Sequence, residues 1–132
     1  MAYLVQADIT DKVAFPFIAD TNTDIDFYLT KGDKYIVSFA QSRGVLDSAD
    51  ILTPLVIELQ EYGLAMMYVD LFADVMNVNN NDAFDSDKYA IKMQYYKTRG
   101  VELKKQITYE MITGDVKDIT DRHASSFDMY RA

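Results

Sequence analysis

Thr53-Pro54-Leu55-Val56-Ile57-Glu58-Leu59-Gln60-Glu61-Tyr62-Gly63-Leu64-Ala65-Met66-Met67-Tyr68-Val69-Asp70-Leu71-Phe72-Ala73-Asp74-Val75-Met76-Asn77-Val78 is the stretch that decides how this chain folds. Threonine followed by proline reads as an N-cap and a first helical position, because proline needs no N–H there and its fixed φ suits the first turn. Leu55, Leu59, Tyr62, Met66, Val69 or Asp70, and Ala73 then recur at helical spacing. Val56, Met67, Leu71 and Phe72 widen the apolar surface to much of the circumference. A helix that is apolar nearly all round belongs at the centre of a fold. About 25 residues of helix would extend about 37 Å. Asn77-Val78-Asn79-Asn80-Asn81-Asp82 closes the segment, since asparagine tolerates turn conformations.

A long helix is expected on either side of it. Upstream, Thr23 and Asp26 resemble a capping box, and Ile25, Tyr28, Leu29, Gly32, Ile36, Phe39 and Ala40 mark one face. Gly44 follows as a C-terminal stop, and Gly32 is a candidate kink. Downstream, a helix is expected from about Ser86-Asp87 to about Ile112. Its stripe is Tyr89, Met93, Tyr96, Gly100, Leu103, Ile107 and Met111, with Lys88, Lys92, Lys97, Arg99, Lys104 and Lys105 on other faces. Asp87 at its start and lysines later suit the helix dipole. Gly63 and Gly100 are expected to let the last two long helices pack closely as an antiparallel hairpin.

The ends are read differently. Residues 6–13 suggest a short helix, broken at Phe15-Pro16-Phe17-Ile18 because proline disfavours helix in the residue before it. After Gly114 the chain is polar with an apolar tip, and is expected to form an arm outside the core, ordered only on docking. The expectation is thus an all-α fold. It is a small helical bundle with three long helices, a short N-terminal helix and an extended C-terminal arm, divided into a core over 1–113 and an arm over 114–132.

Composition excludes several classes. The chain has 132 residues, 49% hydrophobic and 13% aromatic, enough for a folded core. It has no cysteine, so neither disulfides nor thiolate metal sites are available. The first residues lack the basic region of a signal peptide, and no run is apolar for long enough to span a membrane. Synthesis in the cytoplasm is expected. The net charge of −8 repels a phosphate backbone, and the densest basic stretch (Lys97, Arg99, Lys104, Lys105) is interrupted by Glu102.

Candidate chemistry is sparse, and no catalytic, cofactor-binding or metal-binding residues are expected. His123, the single histidine, stands near Asp121, Ser125 and Ser126, but in a stretch read as an arm that supplies no rigid pocket. Asp82, Asp85 and Asp87 with Asn79 and Asn81 lack the glycine and closing glutamate of a helix-loop-helix calcium site. Asp115, Asp118 and Asp121, spaced by three, read as solvated charge. No helix-borne Glu-x-x-His pair, phosphate loop or Gly-x-Gly occurs. The expected protein is not an enzyme. Ten tyrosines and seven methionines instead fit an assembling protein, since both types are enriched at protein interfaces. Tyr68, Tyr95, Tyr109 and Tyr130 lie off the main stripes, and Phe127, Met129 and Tyr130 form the apolar tip.

The order of these segments is familiar. Ala2-Tyr3-Leu4-Val5-Gln6-Ala7-Asp8-Ile9 resembles the start of small neck proteins of tailed bacteriophages. Ile25-Asp26-Phe27-Tyr28-Leu29 with Tyr35-Ile36 follows. Next come Leu52-Thr53-Pro54-Leu55-Val56 running into Leu64-Ala65-Met66-Met67-Tyr68, and then Asp87-Lys88-Tyr89 with Met93-Gln94-Tyr95-Tyr96. The whole is similar to the head–tail connector, or adaptor, family. The resemblance implies a structural virion protein of the neck, forming a ring of about twelve copies below the portal protein. That ring extends the DNA channel, passes DNA without binding it specifically, and receives the next neck or tail protein. It needs no cofactor and no membrane. A C-terminal segment reaching the portal would here be 114–132, with Phe127, Met129, Tyr130 and Arg131 as portal-binding anchors. The asparagine-rich loop and the long tail depart from the pattern and leave another neck layer, such as a stopper, open. The residues alone also leave open a helical regulatory module that binds a cytoplasmic partner.

Overall fold

A computed structural model of the chain describes residues 3–19, 23–78 and 83–114, with side chains in all but 77–86. The described chain is a small all-α bundle without strands. Its helices are α1 (Phe15–Ala19), α2 (Ile25–Ser42), α3 (Ile57–Val78), α4 (Ala83–Gln106) and α5 (Tyr109–Thr113), with single 3-10 turns at Gln6–Asp8 and Ser48–Asp50.

The helix α3 is the middle of the bundle. Tyr28 and Tyr35 of α2 reach Asp74 and Asp70, while Phe39 packs on Tyr62 with ring centres 5.0 Å apart, so α2 runs antiparallel to α3. On the other flank Phe72 meets Tyr89, Tyr68 meets Tyr96 and Glu61 meets Arg99, so α4 is antiparallel as well. Phe72, Leu59, Met67 and Leu71 of α3 are fully buried, together with Ile36, Leu103, Ile107 and Ile112. Burying side chains of this size contributes roughly 1.5–3 kcal/mol each. Of the stripe expected on α4, Tyr89, Gly100 and Leu103 are buried and Met93 and Tyr96 partly so, while buried Ile107 and partly buried Met111 fall beyond the end of the helix.

Several local expectations are corrected. Residues 6–13 make only one 3-10 turn, because their backbone is drawn onto distant side chains described below. The short helix lies at the expected break instead: Pro16 occupies the first turn of α1, where its missing N–H costs nothing. Asp24, not Thr23, caps α2, its carboxylate accepting from the Phe27 amide. The helix α2 continues through Gly32 without interruption. The Thr53–Pro54 peptide is cis. The helix α3 begins only at Ile57, so this pair lies ahead of the helix rather than capping it. The helix α4 starts at Ala83 and stops at Gln106, and Thr108 then caps α5 by accepting from the Met111 amide. Gly114, with φ of 72°, ends α5 in the left-handed region where glycine carries no Cβ penalty.

Gly63 serves a different neighbour from the one expected. A Cβ there would lie 2.5 Å from Ile36 Cδ1, on α2 rather than α4. Gly32 sits opposite, its own Cβ position 3.1 Å from the Gly63 carbonyl oxygen. Gly100 does face α3, opposite the Met66 sulfur at 3.3 Å. Tyr68, expected off the stripes, is buried.

Candidate assembly surfaces

Both α2 and α4 pack on α3 and scarcely on each other. That leaves a groove along each side of α3. The N-terminal segment fills one of them. Leu4 drops into the notch left by Gly32 and Gly63. The amides of Tyr3 and Leu4 both donate to Asp33 Oδ1, at 3.0 and 2.9 Å. Burial pushes the Asp33 carboxyl up, and these two amides only partly offset it. Farther along, the Thr10 and Asp11 amides donate to the Tyr68 hydroxyl. Asp11 accepts from the Tyr96 hydroxyl and pairs with Lys92 at 3.2 Å. Burial raises Asp11, but Tyr96, the Val13 amide and Lys92 outweigh it and hold the carboxyl low. Burial and the facing carboxylates push Tyr28 up to about 12 and Tyr96 higher still, so both hydroxyls stay protonated donors. This network ties the segment to α2, α3 and α4 at once.

Beside it lies a recess lined by Thr10, Glu61, Leu64, Tyr68, Tyr96 and Arg99 among others. Its charged groups are engaged with each other: Arg99 bridges Glu61 and Glu102. Among the described residues no group of three or more acidic or histidine side chains is placed to hold a metal, and none of their helices is long and apolar enough to cross a membrane.

Four exposed apolar side chains stand at one end of the bundle, while Val5, Phe15 and Phe27 are exposed in other parts of the chain. Leu46 is 80% and Ile57 is 74% exposed, and Leu52 and Tyr109 are also open to solvent. All four stand at the end of the bundle where α2 and α4 finish and α3 begins. The Leu52 amide donates to the Ile112 carbonyl at 2.8 Å, and Tyr109 approaches Gly44. Gly114, the last described residue, packs against Leu52 at this same end. Large apolar groups clustered at a surface mark a contact site. Ile91, Tyr95 and Val101 are exposed along α4, which agrees with the outward reading of Tyr95.

The predicted anchors Phe127, Met129, Tyr130 and Arg131 lie outside the described residues, as do His123, Ser125, Ser126, Asp115, Asp118 and Asp121 and the loop over 79–82. The end patch was missed because Leu46 and Leu52 sit in a loop and Ile57 in a first turn, where helical periodicity carries no information. Only Tyr109, a tyrosine off the main stripes, marks it in the sequence. Compared with protein-family models, curated proteins and solved structures, the chain gives no significant match.

Proposed function

We propose that this chain is a structural protein of a tailed-phage neck, a head–tail adaptor that assembles as a ring beneath the portal and receives the next neck or tail component. The observation that carries the reading is the exposed apolar end patch of Leu46, Leu52, Ile57 and Tyr109, set where the chain passes Gly114. A core of three long helices with a short N-terminal helix presents that patch, and residues 114–132 act as the arm. Phe127, Met129, Tyr130 and Arg131 are its portal anchors. An arm that orders on docking gains contacts while its ordering cost keeps premature docking weak. The acidic balance of the chain, −8 overall, keeps DNA from adhering to the channel.

The test is the mass of the purified protein by light scattering, alone and mixed with the portal protein encoded near it. A ring-sized addition to the portal supports the adaptor, and deletion of residues 115–132 should then abolish docking with the helical fold intact. A protein that ignores the portal overturns this reading in favour of another neck layer or of a regulatory module that binds a cytoplasmic partner.

A further inference from the structure

The second groove, on the side of α3 away from the N-terminal segment, is open. Its α2 bank carries Lys31, Lys34, Tyr35 and Ser38, which with Asp70 of α3 line an open recess of about 450 Å³. Met66, Ala73 and Met93 are only partly covered along the floor. The α4 bank carries Lys97 and Lys104, one helical turn to either side of the Gly100 that faces Met66.

This face gathers basic side chains that no carboxylate among the described residues pairs. Lys92 and Arg99, on the N-terminal side of α4, are ion-paired. Lys31, Lys34, Lys97 and Lys104 have no carboxylate partner among the described residues. Lys31 lies over the Phe27 ring and Lys104 over Tyr62, which leaves both charges unneutralised. Asp70 and Asp74 beside them accept tyrosine hydroxyls, from Tyr35 and Tyr28, and keep their negative charge, so lysines outnumber carboxylates here by four to two. An acidic protein thus holds four unmatched lysines around a partly apolar trough.

We infer that residues 115–121 of the same chain, Asp115-Val116-Lys117-Asp118-Ile119-Thr120-Asp121, occupy this groove. The stretch has three aspartates against one lysine, with Val116 and Ile119 between them, so it brings net negative charge and aliphatic groups to a basic, partly apolar groove. It begins next to Gly114, at the end of the bundle where α2 finishes. From there Tyr35, seven residues before Ser42, is about 10 Å along α2 at 1.5 Å per residue. Seven extended residues reach about 23 Å at 3.3 Å each. A segment tethered this closely docks on its own chain at a high effective concentration. The two ends of the chain would then fill the two grooves of α3. This inference goes beyond the adaptor reading and stands without it.

The full chain contains no cysteine, so Thr120→Cys gives one attachment site for a nitroxide spin label. The expected result is loss of the amide NMR cross-peaks of Lys34, Ser38 and Lys97, with those of Thr10 and Asp11 retained. Those peaks should return in the double variant Lys31→Glu, Lys34→Glu, and at about 1 M salt, where the screening length falls to about 3 Å. Peaks that stay intact at α2 and α4, or losses confined to α5, would overturn the inference. So would losses that appear only when spin-labelled chain is mixed with isotope-labelled chain, because the occupant would then be another copy's arm. No portal protein is needed, so failure here is separable from failure of the adaptor reading.

Discussion

Gly32 and Gly63 face each other where α2 crosses α3, and a Cβ on Gly32 would stand 3.1 Å from the Gly63 carbonyl oxygen and 2.5 Å from Leu4 Cδ1. Two helix-interior glycines, each costing about 1 kcal/mol of helix propensity against alanine, are retained where the backbones need the space.

Gly63→Ala is therefore expected to destabilise the protein. The new methyl would meet Ile36 Cδ1 at 2.5 Å and Cγ1 at 2.7 Å, in a fully buried side chain. Overpacking costs about 1–3 kcal/mol, more than the propensity gain of about 1 kcal/mol. Gly100→Ala has the opposite sign, because its only close neighbour is the flexible Met66 sulfur at 3.3 Å. Urea unfolding midpoints of the two variants should move in opposite directions.

The Asp33 clamp separates charge from hydrogen bonding. Asp33→Ala leaves the Tyr3 and Leu4 amides without their acceptor and should lose about 1–3 kcal/mol. Asp33→Asn keeps an acceptor and removes a buried charge. Because burial raises the folded pKa of Asp33, its contribution is fully present below the ordinary carboxylate value and declines as pH rises through the folded one. The balance between wild type and Asp33→Asn should thus shift towards the variant between pH 3 and pH 7, followed by denaturant titration at several pH values.

Asp11 has the reverse dependence. Its folded carboxyl is held below the ordinary value, so its stabilisation is present above that value and is lost as pH falls through the folded one. Asp11→Asn, which breaks the Lys92 pair and weakens the Tyr96 bond, should cost about 1–3 kcal/mol at pH 7 and progressively less in acid. A cost that is the same at pH 7 and pH 3 would remove the charged network as the tie between the N-terminal segment and α4.

Leu46→Asp and Ile57→Asp test the end patch. Both side chains are mostly exposed, so each substitution should change stability by no more than about 0.5 kcal/mol. Co-sedimentation with the portal protein should nevertheless be lost. Retained binding by both variants would remove the patch from the assembly surface.

The sequence by itself determined the three long helices and the central place of α3, because apolar spacing is a local property and a helix apolar on all sides must be enclosed. It also marked the α4 stripe and the outward face of Tyr95. Only the tertiary structure decided which neighbour each glycine serves, where α4 stops before Ile107, and that residues 3–14 cross the bundle instead of coiling into a helix. Those outcomes depend on partners far apart in the chain: Leu4 with Gly32 and Gly63, Asp33 with the Tyr3 and Leu4 amides, Asp11 with Tyr96 and Lys92. Helical periodicity reports which face of a segment is buried. The shape of the groove beneath it, and the polar groups waiting there, exist only once the helices have packed.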